Sequence, residues 1–329
     1  MNMEHPNFTI PTSTEDLDQE VQELLPSLPK EEGWLSSGIC LYQGFWCPEY
    51  LLRNVICFQR YFQPHDQDII LVSFPKCGTT WLKTLIFSIV NRSRYTSSNT
   101  PLLTTPPHKL VPFLEIDLFD KKELPVDLIG TTPSISPRLF STHIPYSSLP
   151  ESIKKCNCRV VYICRNPLDV VVSWFHFTEE KPEKLDEEHF ESFFKGQVAF
   201  GPFWDHVLGY WKESLEKPHK TSFFMYEDLK GDIVSNLKRL AEFIGYPFSV
   251  EEEKRGVIQE IADLCSLKKI KDLEVNKSGR YLENYANNSF FRKGEVGDWA
   301  NYLSSTKMQR LEKQMQEKLS GSGLTFKMS

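Results

Sequence analysis

Short apolar runs alternate along this chain with longer segments in which apolar residues recur at helical spacing. The runs are typical of buried β-strands and cover Ile69–Phe74, Arg138–Thr142, Arg159–Cys164 and Thr221–Tyr226. Helices are predicted over Glu15–Leu25, over the segment from Leu82 to Val90, from Asn166 as cap to about Phe177, and over Glu188–Gly196, Trp204–Lys217, Leu229–Ile244, Val250–Leu264 and residues 304–319. Strands that alternate with helices predict an α/β fold, a single domain with a central parallel sheet flanked by helices.

Four segments show neither the helical nor the strand periodicity of apolar residues. Residues 1–14 are polar and are predicted to be a disordered tail, so the domain is assigned to residues 15–329. The aromatic-rich residues 33–62 are predicted to form a helix and a loop on the core. Residues 101–125 contain five prolines and predict a loop that forms a mobile wall over a site. Residues 276–297 are polar, with several glycines and asparagines, and predict a long loop.

The turn after the first strand carries candidate chemistry. A buried strand, a turn at Pro75–Gly78 and a helix start form a phosphate site in many folds, because the first N–H groups of the helix point at the turn. Lys76 adds a charge, and Thr79 and Thr80 add hydroxyl donors. The alternative is an ordinary turn with a solvated lysine. The order differs from GxxxxGK[ST], since Lys76 precedes Gly78, and this disfavours a nucleotide-hydrolysing P-loop.

Charge and cysteine content restrict the partners. The formal net charge of −6 disfavours general binding to nucleic acid or to an anionic membrane, so an anionic cofactor must be held by local cations. No apolar run is long enough for a membrane span, and the polar N-terminus lacks the pattern of a signal peptide, which predicts a cytoplasmic protein. The eight cysteines are then expected to be free thiols, and no metal site is predicted.

Three motifs together resemble the cytosolic sulfotransferase family. Ser73–Trp81, SFPKCGTTW, is similar to the family's phosphosulfate loop YPKSGTTW, with Cys77 in place of serine. CRNPLDVVVSWFHF is similar to RNPKDVxVSxxHF, and RKGEVGDW at 292–299 is similar to RKGxxGDW. The LPKEEGW and YQGFW segments resemble plant members most. The resemblance implies transfer of a sulfuryl group from 3'-phosphoadenylyl sulfate (PAPS) to a small-molecule acceptor, and it runs from about Trp34 to Trp299.

The resemblance also implies where the cofactor binds. The P-loop-like phosphosulfate loop would hold it through Lys76, Cys77, Gly78, Thr79 and Thr80. Its 3'-phosphate would be bound by a further set of residues: Arg165, Ser173, Arg292, Lys293 and Gly294. Without the resemblance, Arg165 could form a structural ion pair, Ser173 could be a small core residue, and 292–294 could be a flexible basic loop. Trp81 and Tyr226 would lie beside the adenine, whereas the family's segment around Ser266 is poorly matched.

The predicted catalytic residues are His143, Lys76 and Ser173. STHIPY resembles the family's THLP segment, whose histidine is the base, and His143 follows a short strand. An imidazole with a pKa of about 6.5 can take a proton from an acceptor hydroxyl, so the rate should rise near that pH unless the site shifts it. Lys76 would stabilise charge on the leaving phosphate, and Ser173 would bind the 3'-phosphate and help to position Lys76. Ser141 stands where many members have lysine, which leaves an auxiliary cation in doubt.

The sequence leaves the acceptor and two rival functions open. The segment near Trp46 and the proline-rich loop could line an apolar pocket for a flavonoid, a steroid, a hydroxyjasmonate or a desulfoglucosinolate. The rivals are a catalytically silent nucleotide-binding protein and a P-loop kinase. Animal members carry a KxxxTVxxxE dimer contact, and this chain keeps none of its residues at the aligned positions Ala300, Ser304, Ser305 and Gln309. A monomer is therefore expected.

Overall fold

The computed structural model describes residues 15–33, 38–120, 128, 137–178, 186–282 and 285–328, so the predicted tail 1–14 and Trp34 lie outside the described residues. The strands are β1 Lys30–Glu31, β2 Ile39–Tyr42, β3 Phe45–Pro48, β4 Ile69–Ser73, β5 Leu139–Thr142, β6 Arg159–Cys164, β7 Thr221–Met225, β8 Arg280–Leu282 and β9 Tyr285–Ala286. The helices are α1 Glu15–Leu24, α2 Leu52–Tyr61, α3 Thr79–Asn91, α4 Pro107–Leu110, α5 Glu151–Lys155, α6 Pro167–Thr178, α7 Glu187–Lys195, α8 Phe203–Glu216, α9 Tyr226–Gly231, α10 Ile233–Phe243, α11 Val250–Lys254, α12 Val257–Leu264, α13 Leu267–Asp272, α14 Glu274–Lys277 and α15 Ser305–Leu319.

A four-stranded parallel sheet in the order β5-β4-β6-β7 forms the centre of the molecule. Alternate residues of β4 enter different cores: Ile70 and Val72 pack in one hydrophobic cluster, and Ile69 and Leu71 pack in another on the opposite face. Both faces are covered by helices, as continuous apolar strands require. The predicted α/β fold with a central parallel sheet flanked by helices is confirmed.

The strand order places a crevice at one edge of the sheet. The chain passes from β4 to β5 on one side and then returns to add β6 on the other side, so the direction of winding changes between β4 and β6. In open α/β sheets ligands bind outside the carboxyl ends of the strands at such a switch point. Lys76 follows β4 and Arg165 directly follows β6, so the first two predicted anion motifs meet at this crevice.

Two predicted helices are each broken into two. The segment 229–244 contains the end of α9 and all of α10, because the Asp232 side chain caps α10 by accepting the Ser235 N–H at 3.1 Å. The segment 250–264 contains α11 and α12, separated by Gly256 at a φ of 78°. Apolar periodicity continues across both breaks, which is why the pattern alone predicted single helices.

Two segments predicted without strands contain short hairpins. Within residues 33–62, β2 and β3 pair antiparallel before α2 begins, so the predicted helix is present but the hairpin was missed. Within residues 276–297, β8 pairs with β9, so this segment is not a continuous loop. Strands of two to four residues are too short to show a period.

The proline-rich segment is packed into the protein over its described part, residues 101–120. It contains α4 and a π-helical turn, Leu114–Leu118, and it buries Phe113, Leu114 and Glu115. Phe113 forms a parallel bridge with Ser141 of β5. This part of the segment therefore packs as a wall beside the sheet edge, continuous with the core.

Candidate active site

A sharp turn joins β4 to α3 at the crevice. Lys76 and Gly78 have φ values of 68° and 104°, both in the left-handed region. Position 78 requires glycine, because a Cβ there would lie 2.7 Å from Cδ2 of Tyr226. A lysine in this conformation costs energy and is typical of turns whose shape serves a function. No feature of the sequence indicates this conformation of Lys76.

The first turn of α3 presents its N–H groups to the crevice. The Leu82 N–H donates to the carbonyl of Gly78 at 3.0 Å, so the N–H groups of Thr79, Thr80 and Trp81 precede the first intrahelical bond. The Thr79 hydroxyl is 2.6 Å from the hydroxyl of Ser73 and is fixed by it. These donors and the positive end of the helix dipole favour an anion at this turn.

Lys76 lies among other cations and an aromatic ring. Its Nζ is 3.6 Å from the ring centroid of Phe177. Burial, together with the charges of Arg292 and Arg165, lowers the pKa of Lys76 from its ordinary value to about 7. An anion bound between these three cations would oppose that repulsion and favour the protonated lysine.

Aromatic and apolar side chains lie next to the turn. The rings of Trp81 and Tyr226 meet edge to face with centroids 5.3 Å apart. The buried Trp81 Nε1 has no hydrogen-bond partner among the described residues. Leu267 and Ile270 of α13 complete this side of the pocket, whereas Ser266 caps α13 and lies outside the pocket. The surface suits a flat heterocycle.

Arg165 is held at the start of α6 by a carboxylate on the same helix. Its guanidinium is 3.3 Å from Asp169 and also donates to the carbonyl of Glu295. The two oxygens of Asp169 accept the N–H groups of Gly297 and Trp299 at 2.9 and 3.1 Å. Asp169 is fully buried, so one carboxylate joins the second motif to the third. The structural ion pair is therefore present, and the Arg165 Nε is still buried without a partner among the described residues.

The third motif is organised by Asp298. Its carboxylate pairs with Arg292 and, at 2.8 Å, with Lys293. Gly294 has a φ of 66°, and its carbonyl accepts the Tyr226 hydroxyl at 2.8 Å. The predicted basic loop is thus anchored to the loop after β6 and to Tyr226.

His143 is fixed at the end of β5 by its backbone and its ring. Its N–H donates to Glu115 Oε1 at 2.7 Å, its carbonyl accepts from His206 Nε2 at 2.9 Å, and its Nδ1 lies 2.7 Å from the carbonyl oxygen of Ser73. A carbonyl only accepts, so Nδ1 carries the proton and Nε2 keeps a lone pair. Burial lowers the pKa of His143 to about 3, so this site shifts the imidazole away from its ordinary value near 6.5.

One pocket brings together eleven of the thirteen predicted site residues: Lys76, Gly78, Thr79, Thr80, Trp81, His143, Arg165, Ser173, Tyr226, Arg292 and Gly294. Two are not among its lining residues. Cys77 is fully buried, and its N–H donates to the carbonyl of Phe74 at 3.3 Å. The Lys293 side chain is 41% exposed and faces Asp298.

The segment near Trp46 and the proline-rich loop, predicted to line an apolar pocket, supply part of its apolar half, whereas Phe200 and the residues between 281 and 290 were missed. The rings of Phe113 and Phe200 lie 4.6 and 5.2 Å from the imidazole of His143. Further lining residues on this side are Pro48, Tyr50, Leu51, Ile116, Tyr281, Tyr285 and Phe290. Trp46 is buried away from the pocket, although its neighbours after β3 line it. These residues come from four separate segments, 48–51, 113–116, 200 and 281–290, and no local pattern connects them.

Two features are absent from the described part of the chain. No group of three or more His, Cys, Asp or Glu side chains there could hold a metal ion. No helix there is long and apolar enough to cross a membrane. All eight cysteines are free thiols, and seven of them are buried.

Comparison with known proteins adds three findings. A family model described as a sulfotransferase domain matches residues 66–323. Cytosolic sulfotransferase 15 of Arabidopsis thaliana is 48% identical over 332 residues, which cover 97% of this chain and 91% of that protein. The solved structure of an Arabidopsis thaliana putative steroid sulphotransferase superposes with a TM-score of 0.73 at 39% identity, covering 97% of this chain and 99% of that one.

A more distant structure contains a ligand. Mouse sulfotransferase SULT7A1, solved in complex with PAP, is 25% identical and superposes with a TM-score of 0.63 over 86% of this chain and 95% of that chain. The fold, the three cations Lys76, Arg165 and Arg292 in one pocket, and the sequence relatives therefore agree on one family.

Proposed function

This chain belongs to the sulfotransferase family, and from that premise we propose that it moves a sulfuryl group from PAPS to the hydroxyl of a small, neutral, flat acceptor. The observation that carries the proposal is the meeting of Lys76, Arg165 and Arg292 on one side of a pocket whose other side holds His143 among aromatic rings. When bound, PAPS supplies the sulfuryl group and leaves as adenosine 3',5'-bisphosphate.

The donor side fits an adenosine bisphosphate. The N-terminus of α3 and Lys76 would bind the 5'-phosphate, and Arg165, Ser173, Arg292 and the backbone at Gly294 would bind the 3'-phosphate. Support comes from the Nε of Arg165, which has no partner among the described residues. Burying such a charged donor costs free energy unless a ligand accepts its hydrogen bond. Trp81 and Tyr226 would pack on the adenine, and the free Trp81 N–H adds a donor at the same place.

We propose that His143 Nε2 accepts the proton of the acceptor hydroxyl. The Ser73 carbonyl holds the ring in the tautomer that leaves Nε2 free, and the lowered pKa keeps the imidazole neutral over the physiological range. Lys76 would stabilise the negative charge that develops on the leaving phosphate. Ser173 lies on α6 and lines the pocket, as Arg165 does, and it would complete the 3'-phosphate site and help to position Lys76.

The acceptor side favours a neutral ring system over a carboxylate. The cations that line the pocket within the described residues are Lys76, Arg165 and Arg292, and all three lie on the donor side. Around His143 the pocket presents the rings of Phe113 and Phe200. A flavonoid or steroid hydroxyl fits these surfaces better than a hydroxyjasmonate, whose carboxylate would lose hydration without a partner.

A transfer assay with radiolabelled PAPS tests this function. We expect phenolic and steroid hydroxyls to accept label, and the free acid of a hydroxyjasmonate to be much poorer than its methyl ester. Equal rates for acid and ester would refute the acceptor class alone, whereas no transfer to any of a wide panel would favour a silent nucleotide-binding protein. The relatives are named cytosolic, and we propose the same compartment for this chain.

A further inference from the structure

Three polar side chains are linked in a row behind the phosphosulfate turn, the sharp turn that joins β4 to α3. The Nζ of Lys83 is 3.1 Å from Nδ1 of His108, and Nε2 of His108 is 3.3 Å from Oγ1 of Thr80. Thr80 and Lys83 lie three apart on α3 and therefore on the same face of the helix. His108 reaches them from α4. Thr80 and His108 line the pocket, whereas Lys83 is fully buried behind them.

Packing does not account for Lys83. Within the described residues it has no ion pair with a carboxylate, and its Nζ lies 3.4 Å from the ring centroid of Phe113. Burial lowers the pKa of Lys83 well below its ordinary value, although the charges of Asp117 and Glu115 act in the opposite direction. A methionine could fill this space without the cost of desolvating an amine, so the amine must serve its neighbour, His108.

The hydrogen-bond directions follow from the neutral state of His108. Burial and the nearby cation Lys83 lower the pKa of His108 well below its ordinary value, so one ring nitrogen donates and the other accepts. If Lys83 donates to Nδ1, then Nε2–H donates to Thr80, and the Thr80 hydroxyl hydrogen is free to point into the pocket. With the opposite directions Thr80 would offer only lone pairs, which repel an anion.

We propose that Lys83 and His108 are positioning residues that turn the Thr80 hydroxyl hydrogen toward the 5'-phosphate of the donor. The inference rests on the proposed function, because it needs an anion at the N-terminus of α3. A phosphate there selects the direction in which Lys83 donates, and each bond polarises the next one toward the anion. Lys83 thereby acts on the donor without touching it.

This arrangement also bears on the missing cation at position 141. By the resemblance to the family, Ser141 aligns with a position where many members have lysine, and its hydroxyl donates to the carbonyl of Pro112 at 3.2 Å. Phe113, which follows, forms the bridge to Ser141 and supports Lys83 on its ring. The amine of this region therefore comes from α3 and acts through His108.

Calorimetric titration of two ligands tests this hydrogen-bond relay from Lys83 through His108 to Thr80. Adenosine 3',5'-bisphosphate has the 5'-phosphate, and adenosine 3'-monophosphate lacks it but keeps the 3'-phosphate. We expect Thr80→Val, His108→Phe and Lys83→Met each to weaken bisphosphate binding about tenfold, the scale of one hydrogen bond to a charged group. Binding of the 3'-monophosphate should stay within about twofold, because that ligand does not engage Thr80.

Two comparisons separate a relay from simple packing. Thr80→Ser keeps the hydroxyl and should bind like wild type, whereas Thr80→Val keeps the shape and should not. The double variant Thr80→Val with His108→Phe should bind the bisphosphate no more weakly than Thr80→Val alone. Additive losses, or equal losses for both ligands, would overturn the relay. If the wild type does not bind the bisphosphate more tightly than ATP, the proposed function itself fails, and the relay fails with it.

Discussion

The imidazole of His143 donates from Nδ1 to the backbone carbonyl of Ser73, at 2.7 Å. Ser73 is the last residue of β4, the strand that leads into the phosphosulfate turn, so one residue both starts that turn and sets the tautomer of the proposed base. His143 directly follows the neighbouring strand β5. Parallel pairing of the two strands therefore fixes the distance between the donor site and the base.

The first prediction concerns pH. Because the pKa of His143 is about 3 and that of Lys76 about 7, His143 should contribute no rise in rate near pH 6.5. Instead kcat/KM for PAPS should fall above pH 7, because the free enzyme then loses the Lys76 proton, whose charge attracts the anionic donor. The fall should approach about tenfold per pH unit. Initial rates between pH 5.5 and 9.5, at saturating acceptor, measure this.

A matched variant separates Lys76 from other groups. Arginine keeps its charge over this range, so Lys76→Arg should abolish the fall above pH 7 even where it lowers the absolute rate. A fall of the same shape in this variant would assign the titration to another residue.

The sequence predicted those parts of the site that lie close together along the chain. Lys76 and Arg165 each follow a buried strand, and the predicted order of strands and helices already brings such positions to one edge of a parallel sheet. The pairing of Asp169 with the N–H groups of Gly297 and Trp299 joins residues far apart in the chain, so it depends on tertiary packing. No local pattern could have indicated it.

Burial accounts for most of the remaining differences. His143 and Lys76 were assigned ordinary chemistry from their residue types, but their pKa values depend on how much water the folded pocket excludes. His108 carries no motif and was not singled out, although the apolar rings around it make it part of the wall. The desolvation of a side chain is a property of the packed structure.

The second prediction concerns the donor site. Adenosine 3',5'-bisphosphate at about a hundred times its dissociation constant should stabilise the fold by roughly 2.7 kcal/mol. AMP and ATP should stabilise it much less, because neither offers a 3'-phosphate to Arg165 and Ser173. Thermal unfolding with each nucleotide measures the difference, and equal shifts with ATP would contradict the assigned 3'-phosphate site.

The third prediction concerns Asp169, whose carboxylate pairs with Arg165 and accepts the N–H groups of Gly297 and Trp299. An asparagine there keeps one acceptor oxygen but turns an amide toward a backbone N–H, and it leaves Arg165 without its partner. Asp169→Asn should therefore lose about 3 kcal/mol or more of folding stability, the scale of a broken buried pair, and should weaken bisphosphate binding. Chemical denaturation and calorimetric titration measure the two effects.

The same substitution at Asp232 is the control. Asp232 is exposed and caps α10 through its carboxylate, and asparagine caps helices about equally well. Asp232→Asn should leave both stability and bisphosphate binding nearly unchanged. If Asp169→Asn behaves like this control, the third motif is held by other contacts.

The fourth prediction concerns assembly. Ser304 caps α15 by accepting the Lys307 N–H at 3.3 Å, so the segment aligned with the animal dimer contact serves here as a helix start. We expect a monomer in dilute solution. Light scattering should give a mass near 38.3 kDa, and a mass near twice that value would show a dimer through some surface.

The last prediction tests the base. His143→Ala should reduce transfer to an aliphatic alcohol by about a hundredfold to ten-thousandfold, the usual contribution of a general base. Bisphosphate binding should stay nearly unchanged, because His143 lies on the acceptor side of the pocket. Lys76→Ala should lower turnover and also weaken donor binding, since its charge acts on the donor.

The identity of the acceptor provides the internal control for this test. A phenol acidic enough to ionise alone needs no base, so its transfer should depend far less on His143 than that of a weakly acidic alcohol. The ratio of the two rates, measured in wild type and in His143→Ala with the same PAPS concentration, isolates proton removal from any change in the shape of the pocket. An unchanged ratio would mean that the substitution acts on packing around Phe113 and Phe200. Full activity of His143→Ala on the alcohol would assign proton removal to another group.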